Sequence, residues 1–335
     1  MSVTLRDVAL KAGVSIKTVS RVVNNQGEIS ETTRQRVQAA ISELGYRPSK
    51  VARALVTQRT DTIGLILGDI TNPFFPEVAR GVLDVAEARD LNVFVCNSDG
   101  DLQRELRTLQ SLTEHGVDGV IISPSYEMEA DLRAGASPDR PIVVINRPFD
   151  CPGISTVMMR SLEGACLAVD YLIAKGHTAI AMVGGPPSAA RKLQRAQGYR
   201  TALASHGLPV VEEWVRPSLP VRSHGREATV ELLTRWPQIT AIFAYNDLVA
   251  IGAIEACQRL GRVVPRDCAV VGFDDIPLAD SICPALTTVR VDKYELGRRA
   301  MDRLAQMLAS PHETFEPLWM DVDLVIRQSA LQVTT

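Results

Sequence analysis

A short run of side chains near the amino terminus has the types that read DNA bases. A helix that begins at Ser15 would expose Lys17 and Arg21. An arginine in this position can pair bidentately with a guanine, and a lysine can reach a guanine or a phosphate. A solvated helix face has the same polar composition, so the surrounding elements must decide between the two interpretations. The exposed set is Ile16, Lys17, Thr18, Ser20, Arg21 and Asn24.

The elements that would position this set are three short helices. Thr4 followed by Asp7 resembles a capping box, and Gly13 can end the first helix in the left-handed conformation. Only Gly13 and Val14 separate that helix from the one that Ser15 caps, which predicts a helix-turn-helix. A third helix begins near Ser30 and ends at Gly45. The predicted core side chains are Leu5, Val8, Ala9, Ala12, Val19, Val22, Val23, Val37, Ala40, Ile41 and Leu44.

The distribution of charge supports a nucleic-acid partner for this region. Residues 1–60 hold ten Lys or Arg and four Asp or Glu, a net charge of +6, whereas the whole chain carries −3 and the remainder therefore −9. A basic head on an acidic body indicates that only the head meets a polyanion, although a chance fluctuation is the alternative. The first residues lack the apolar run of a signal peptide, and no stretch is long enough to span a membrane, so we expect a cytoplasmic protein.

A hinge is predicted after the third helix. Pro48 breaks that helix, and Ser49 can cap a very short new one that ends near Leu55. A helix of about two turns is marginal in water, so we expect it to fold only when DNA offsets the cost of ordering it. Leu55 would be exposed on this helix, which suits an apolar wedge in a minor-groove base step.

From Asp61 onward, short apolar runs alternate with amphipathic segments, and the pattern repeats after about residue 160. Alternation of this kind predicts parallel sheets, and two successive runs predict two lobes with a cleft at the carboxyl ends of the strands. The predicted strands are 63–67, 93–96, 117–122, 142–145, 179–183, 241–244, 269–272 and 322–326, with helices at 78–88, around 106–112, 162–174 and 293–309.

Polar side chains follow several of these strands. Asp69, Asn246 and Asp274 stand just past strand ends, where carboxylate and amide groups suit the hydroxyls of a sugar. Arg195 adds a fork of five donors, and Phe74 offers an apolar face to a ring. A residue at a strand end is as often a helix cap as a ligand, so each alone is weak evidence.

Several ordered motifs along the chain resemble the lactose-repressor/galactose-repressor family of transcription regulators. The resemblance implies an all-α helix-turn-helix head and an α/β body of two doubly wound parallel-sheet lobes, like a periplasmic binding protein. It divides the chain into a DNA-binding domain at 1–45, a hinge at 46–60 and an effector-binding and dimerisation domain at 61–335. In that domain, lobe one takes about 61–159 plus 291–320, and lobe two about 160–290 plus 321–335. The motifs are Thr4-Leu5-Arg6-Asp7-Val8-Ala9, Ala12-Gly13-Val14-Ser15, Thr18-Val19-Ser20-Arg21-Val22, Gly45-Tyr46-Arg47-Pro48, Asn72-Pro73-Phe74-Phe75, Gly184-Gly185-Pro186, Gly198-Tyr199-Arg200, Asn246-Asp247, Val271-Gly272-Phe273-Asp274-Asp275 and Leu286-Thr287-Thr288-Val289.

The resemblance also implies the partners and the site residues. The partners are a pseudopalindromic double-stranded operator, a second copy of the chain and a carbohydrate or sugar-acid effector that controls repression. No catalytic residue, metal or cofactor is implied. The implied DNA-binding residues are Thr4, Leu5, Ser15, Ile16, Lys17, Thr18, Ser20, Arg21, Asn24, Ser30, Thr33, Lys50, Ala52 and Leu55. The implied effector-binding residues are Asp69, Phe74, Phe75, Ser123, Asn146, Arg147, Arg191, Arg195, Asn246 and Asp274.

The sequence departs from the family pattern around the expected effector. Arg191 replaces a small hydroxyl residue, Asn146 precedes Arg147 where an aspartate is common, and no aromatic residue stands at 218–222. Additional cations with fewer aromatic rings favour an acidic or phosphorylated sugar.

Two other classes of protein are alternatives. The body alone would fit a solute-binding protein, but the head and the missing export signal argue against it. A nucleotide-dependent enzyme is disfavoured because the chain has no phosphate-binding loop of the G-x-x-x-x-G-K-[ST] type and no G-x-S-x-G elbow. The five histidines are dispersed, with His177 expected to be a structural cap, and the six cysteines show no C-x-x-C pairing and are expected to be reduced and mostly buried.

Overall fold

The protein is described from a computed structural model. The structure describes residues 3–23, 27–46, 59–124, 129–149, 151–185 and 190–331, without the side chains of residues 129 and 190–193. The chain divides into two compact units, Met1–Thr60 and Asp61–Thr335.

The first unit contains three helices around a small apolar core. They are α1 (Leu5–Ala12), α2 (Ile16–Val23) and α3 (Glu31–Leu44). Thr4 and Asp7 form the predicted capping box of α1, and Gly13 and Gly45 end α1 and α3 with left-handed φ angles of 62°. Such angles favour glycine, which explains why these helices stop where they do. The buried core is Val8, Ala9, Ala12, Val19, Val22, Val37, Ala40 and Tyr46.

The second unit contains two six-stranded sheets, one in each lobe. The first sheet has the order β11-β5-β4-β3-β1-β2, and the second has the order β12-β10-β9-β8-β6-β7. The strands of the first sheet are β1 (Thr62–Leu67), β2 (Asn92–Asn97), β3 (Gly119–Ile122), β4 (Ile142–Ile145), β5 (Ile154–Met159) and β11 (Leu318–Met320). The strands of the second are β6 (Ile180–Gly184), β7 (Val215–Pro217), β8 (Ala241–Ala244), β9 (Ala269–Asp274), β10 (Thr287–Arg290) and β12 (Asp323–Val325).

Helices cover both faces of these sheets, and for this reason the central strands are buried apolar runs. The order of each sheet reverses once, between β1 and β3 in the first lobe and between β6 and β8 in the second. Ligands of doubly wound sheets bind at such switch points. The helices are α4 (Phe74–Glu87), α5 (Leu102–Glu114), α6 (Glu129–Gly135), α7 (Ser161–Ala174), α8 (Ala190–Ser205), α9 (Arg222–Arg235), α10 (Asp247–Arg259), α11 (Leu278–Ser281) and α12 (Lys293–Ala309).

The chain passes between the two lobes three times. The passages follow β5, β10 and β11, because each of these strands is succeeded by an element of the other lobe. After the second passage, α12 packs against α4 in the first lobe. The two helices approach so closely that a Cβ atom on Gly81 would lie 2.1 Å from the carbonyl oxygen of Tyr294. Glycine is therefore required at this contact, where the backbones of α4 and α12 pack directly against each other.

The predicted strands are present with small shifts of their ends, and two predictions need correction. The helix predicted at 78–88 begins at Phe74, after a turn in which Asn72 Oδ1 accepts a hydrogen bond from the Phe74 amide at 3.1 Å. The last strand is antiparallel to β10, although only parallel pairing was expected. Four strands were not predicted, namely β5, β7, β10 and β11.

Candidate DNA-binding surface and effector site

The second helix of the head carries an exposed surface suited to DNA. Ser15 caps it, since Ser15 Oγ accepts from the Thr18 amide at 3.1 Å. Lys17 and Arg21 are four residues apart on one exposed face, and Ile16 beside them is 49% exposed. Thr18 and Ser20 are only half-buried rather than exposed, because Thr18 Oγ1 turns back to Ser15 Oγ at 2.9 Å and Ser20 also has a partner. The expected exposure of these two residues was therefore wrong.

Two of the other predicted DNA contacts in the described head, Thr4 and Ser30, are helix caps. Thr4 Oγ1 donates to Asp7 Oδ2 at 2.7 Å, and these hydrogen bonds lower the pKa of the Asp7 carboxyl. Ser30 caps α3 through the amide of Thr33 at 3.4 Å. Leu5 is half-buried against the head core. Thr4 and Ser30 thus mark the amino termini of α1 and α3, and a helix amino terminus is a position where phosphates bind.

Some predicted residues fall outside the described part of the chain. Asn24, Lys50, Ala52 and Leu55 belong to this group, and so does the predicted hinge helix. The side chain of Arg191 is also not described, although its backbone lies in α8. The predictions for these residues remain predictions.

In the first lobe, three predicted effector residues are buried at the carboxyl edge of the sheet. Ser123 follows β3, and Asn146 and Arg147 follow the neighbouring strand β4. Asn146 has a φ of 61°, and its Oδ1 accepts from the Met159 amide at 2.8 Å. Within the described residues, neither Ser123 Oγ nor Asn146 Nδ2 has a hydrogen-bond partner. Two buried polar atoms that follow adjacent strands thus lack a partner at this edge, which a buried polar atom seldom does.

Asp69 and the two phenylalanines have structural roles in this lobe. Asp69 Oδ1 accepts from both the amide and the hydroxyl of Thr71, at 2.9 and 2.6 Å, and so closes the turn after β1. Phe74 and Phe75 are buried in the main core, with their rings edge to face at 5.3 Å. Phe74 therefore presents much less of its ring than the predicted apolar face required.

In the second lobe, Arg195 and Asp274 form a buried ion pair. Arg195 Nη2 lies 3.2 Å from Asp274 Oδ1, and the two side chains are 2% and 8% exposed. The guanidinium group stacks on the ring of Phe273 at 3.6 Å and on that of Tyr245 at 4.8 Å. It also donates to the carbonyl oxygen of Tyr245. This arrangement places the guanidinium group of Arg195 against two aromatic rings, and Asp274 compensates its charge.

Asn246 caps a helix, which is the structural alternative foreseen for it. Its Oδ1 accepts from the Val249 amide at 2.9 Å, and its Nδ2 donates to the carbonyl oxygen of Pro220 at 3.2 Å. The adjacent Asp247 is fully buried, and burial followed by the nearby Asp274 carboxylate raises its pKa well above the usual range. Asp247 accepts hydrogen bonds from Thr288 and from the Ile276 amide, so it anchors the ends of β9 and β10.

Sequence reasoning missed three residues at this site. Tyr245 and Phe273 form the aromatic faces around Arg195, and Lys293 donates from α12 to the carbonyl oxygens that follow β9. Tyr245 is the first residue after β8, so the same strand-end rule that selected Asn246 would have found it. No local signal identifies Lys293, whose partners lie 18 and 19 residues away.

The remaining candidate groups are structural. His177 Nδ1 lies 3.0 Å from Thr240 Oγ1, and burial lowers its pKa, as expected of a structural histidine. The six cysteines are free thiols, but only Cys257 and Cys268 are fully buried, and Cys283 is exposed. Over the described ranges, no group of His, Cys, Asp or Glu is arranged to hold a metal, and no helix is long and apolar enough to cross a membrane.

Comparison with known proteins agrees with both parts of the molecule. Residues 4–49 match the family model for bacterial regulatory proteins of the lacI family. Residues 60–327 match the model for periplasmic binding proteins and the sugar binding domain of the LacI family. The ribose operon repressor of Escherichia coli (strain K12) is 37% identical over 335 residues, which cover 98% of this chain and 99% of the relative.

Two solved structures extend the comparison. The lac repressor dimer bound to operator and the anti-inducer ONPF is similar with a TM-score of 0.87 and 29% identity, covering 99% of this chain and 100% of the other. A LacI family regulator from Enterococcus faecium with bound ribose is similar with a TM-score of 0.71 and 28% identity, covering 82% of this chain and 100% of the other.

The fold and the two family matches define a DNA-binding transcription regulator with a sugar-binding-type body, and the relatives are repressors rather than enzymes. More narrowly, the chain belongs to the LacI family of bacterial regulatory proteins. The match over the head excludes the solute-binding alternative, because that class has no such domain.

Proposed function

We propose that this protein is a repressor whose affinity for an operator is set by a monosaccharide bound at the carboxyl edges of its two sheets. In this proposal, residues 1–45 bind DNA, 46–60 form the hinge and 61–335 bind the effector and a second copy of the chain. The observation that carries the effector site is the pair of unpartnered buried atoms, Ser123 Oγ and Asn146 Nδ2, beside a sheet switch point.

The DNA-binding part of the proposal rests on the exposed face of α2. Lys17 and Arg21 project from it, and Arg21 carries the donors that match a guanine edge. The cap residues Thr4, Ser15 and Ser30 place helix amino termini where phosphates fix the orientation of the head. A homodimer would present two heads to a pseudopalindromic operator, and this assembly places the regulator on DNA in the cytoplasm.

The charge balance of the second lobe favours a neutral sugar as effector. Asp274 compensates Arg195, so the pair offers hydrogen bonds without net charge, which suits hydroxyl groups better than a carboxylate. The aromatic rings around Arg195 restrict the guanidinium to one orientation. The names of two relatives, a ribose operon repressor and a regulator with bound ribose, support a pentose as the first probe.

The sugar-acid interpretation rests on the additional cation Arg191, on Asn146 in place of an aspartate and on the missing aromatic residue at 218–222. The neighbouring Arg147 is buried at the first-lobe edge and engages a partner of its own. Calorimetric titration of the full-length protein with D-ribose, D-ribonate and D-ribose 5-phosphate separates the two ligand classes. Binding of D-ribose alone supports the neutral site, whereas binding of only the acid or the phosphate would overturn it.

The effector site is tested by substitutions at the unpartnered atoms. Ser123→Ala removes one hydrogen bond to the sugar, so we expect the Kd for D-ribose to rise about tenfold. Thr71→Val is the matched control, because its hydroxyl is already used by Asp69 at 2.6 Å. Equal effects of the two substitutions would contradict the placement of the sugar beside Ser123.

The DNA-binding function is tested by fluorescence anisotropy with an operator selected in vitro from a random pseudopalindromic library. Arg21→Ala should weaken binding to the selected sequence by about 5–150-fold and relax base preference at one position in each half-site. Lys11→Ala is the control, since the Lys11 ammonium is paired with Glu43 at 2.8 Å. Failure to enrich any sequence at physiological salt would refute sequence-specific binding.

A further inference from the structure

Lys293 is a buried lysine that the proposed effector site does not explain. It is the first residue of α12, just after the second passage between the lobes, and its side chain is 5% exposed. Burial of an ammonium group is costly unless its donors find acceptors and a counter-charge lies near. The groups around its Nζ atom therefore identify which parts of the protein it connects.

The acceptors are backbone carbonyl groups of the second lobe. Lys293 Nζ donates to the carbonyl oxygens of Asp274 at 3.0 Å and of Asp275 at 2.8 Å, with Val291 more distant at 3.4 Å. Asp274 and Asp275 have φ angles of 113° and 52°, which L side chains seldom adopt. The ammonium group thus holds two successive strained residues, and the first carries the carboxylate that pairs with Arg195.

The counter-charge comes from the first lobe. Glu77 on α4 places Oε2 3.7 Å from Lys293 Nζ. The helix that carries Lys293 is fixed to α4, because a Cβ atom on Gly297 would lie only 2.0 Å from the carbonyl oxygen of Val78. Lys293 is therefore anchored on the α4–α12 pair of one lobe while it bonds the strand end of the other.

We propose that Lys293 is a positioning residue that orients Asp274 for the effector and transmits effector binding to the first lobe. The inference rests on the proposed effector site. When the Asp274 side chain turns toward a sugar hydroxyl, the backbone carbonyl group of Asp274 moves as well. Because Lys293 Nζ is hydrogen-bonded to this carbonyl oxygen, the movement displaces Lys293 and with it the α4–α12 pair. Lys293 acts through Asp274 and touches no ligand itself.

The test compares Lys293→Met with Lys175→Met in the full-length protein. Methionine keeps an apolar stem at both positions. Lys175 serves as the control because its ammonium group lies over the ring of Tyr171 in the same helical segment. We expect Lys293→Met to raise the Kd for D-ribose by at least about tenfold, as for loss of hydrogen bonds from a charged donor. The ratio of operator Kd values with and without saturating D-ribose should fall below about two, from the ~5–150 usual for allosteric coupling. Operator affinity without the sugar should stay unchanged.

A second measurement does not depend on the sugar. The Ile276 amide donates to Asp247 Oδ2 at 2.8 Å and reports the order of the segment after β9. We expect the segment 274–278 to exchange its amide hydrogens at least about tenfold faster in Lys293→Met, because local opening costs less without the ammonium group. Lys175→Met should exchange at the wild-type rate there.

The outcomes separate this inference from the proposed function. If wild-type protein binds none of the three sugars, the effector proposal fails, and the exchange rates alone decide whether Lys293 orders the strand end. If wild-type protein binds D-ribose and Lys293→Met retains both the affinity and the operator ratio, the inference is overturned while the proposed function stands. A lower melting temperature with unchanged sugar binding and exchange would leave only a packing role for Lys293 and would also overturn it.

Discussion

The buried pair of Arg195 and Asp274 allows a quantitative test of the charge compensation at the proposed effector site. Loss of one partner from a buried ion pair typically costs about 3–5 kcal/mol, because the remaining charge loses its compensation. Asp274→Asn keeps an oxygen that accepts from the guanidinium group and keeps a side chain that tolerates positive φ. We therefore expect a loss at the lower end, about 3 kcal/mol in the free energy of unfolding.

The double variant determines whether the pair is the cause. Arg195→Met removes the other charge and keeps an apolar stem between the rings of Phe273 and Tyr245. Once both charges are absent, no uncompensated charge is left in the interior, so the double variant should lose only about 1–2 kcal/mol. The coupling free energy of the cycle should then exceed about 2 kcal/mol.

Urea unfolding followed by tryptophan fluorescence measures these values. The three tryptophans, Trp214, Trp236 and Trp319, all lie in the second unit, so the signal reports that unit and not the head. With a urea m-value of about 3 kcal/mol/M for a domain of this size, Asp274→Asn should lower the midpoint by about 1 M.

An exposed ion pair in the same lobe provides the control. Arg200 and Glu212 are joined by two hydrogen bonds of 2.8 and 2.7 Å, but their side chains are 40% and 62% exposed. Glu212→Gln should therefore cost less than about 1 kcal/mol. Additive effects of Asp274→Asn and Arg195→Met would refute the reasoning, because they would mean that the two charges do not compensate each other.

Three further predictions concern other parts of the molecule. Thr4→Ala should destabilise the head by about 1 kcal/mol in thermal unfolding followed by circular dichroism, because it removes the cap of α1. Hydrogen bonds lower the pKa of the Asp7 carboxyl, so the stability that Asp7 contributes should be complete above the ordinary pKa of 3.8 and lost as the pH falls through the lower folded value, in an acid titration of the same signal. Gly297→Ala should cost at least about 1–3 kcal/mol in urea unfolding, since its methyl group would meet the carbonyl oxygen of Val78, and an unchanged midpoint would contradict this contact.

The three helices of the head that the structure describes could be predicted from the sequence, because their signals are local. Thr4, Ser15 and Ser30 cap helices within three residues of themselves, and Gly13 and Gly45 end helices through their own φ angles. The periodicity of the apolar residues then fixes which face is buried. The partial burial of Thr18 was not foreseen, because a threonine hydroxyl can turn either toward solvent or back to the cap residue.

The strands that were missed contain polar residues whose partners are distant in sequence. The strand β5 includes Ser155 and Thr156, which break the apolar run that marks a buried strand. Ser155 is accommodated because its Oγ accepts from Arg303 on α12 at 2.7 Å, 148 residues away. β7 and β11 are three residues long and lie at or near sheet edges, where too few residues exist to establish a period.

The residues of the proposed effector site could be named from the sequence, but the role of each could not. The strand-end rule selected Asp274, and the family resemblance added Ser123 and Asn146; all three lie at the carboxyl edges of the two sheets. The same rule selected Asp69 and Asn246, whose polar atoms turned out to close a turn and cap a helix. The two outcomes differ only in which backbone groups lie within reach, and this depends on loop conformation after each strand.

The charge compensation between Arg195 and Asp274 limits which interactions can supply the coupling free energy of the proposed switch. Since Arg195 and Asp274 already balance each other, a neutral sugar gains little from charge, and the difference between the two states must come from hydrogen bonds made in only one of them. A typical coupling of about 1–3 kcal/mol corresponds to one to three such bonds at about 1 kcal/mol each. Ser123 and Asn146 belong to one lobe and Asp274 to the other, so a sugar that bonds both edges favours the arrangement of lobes in which all three are within reach. Lys293 then matters because its ammonium group bonds the carbonyl oxygen of Asp274 while its own helix is packed against α4. In the proposed switch, a movement of Asp274 is therefore passed to the α4–α12 pair.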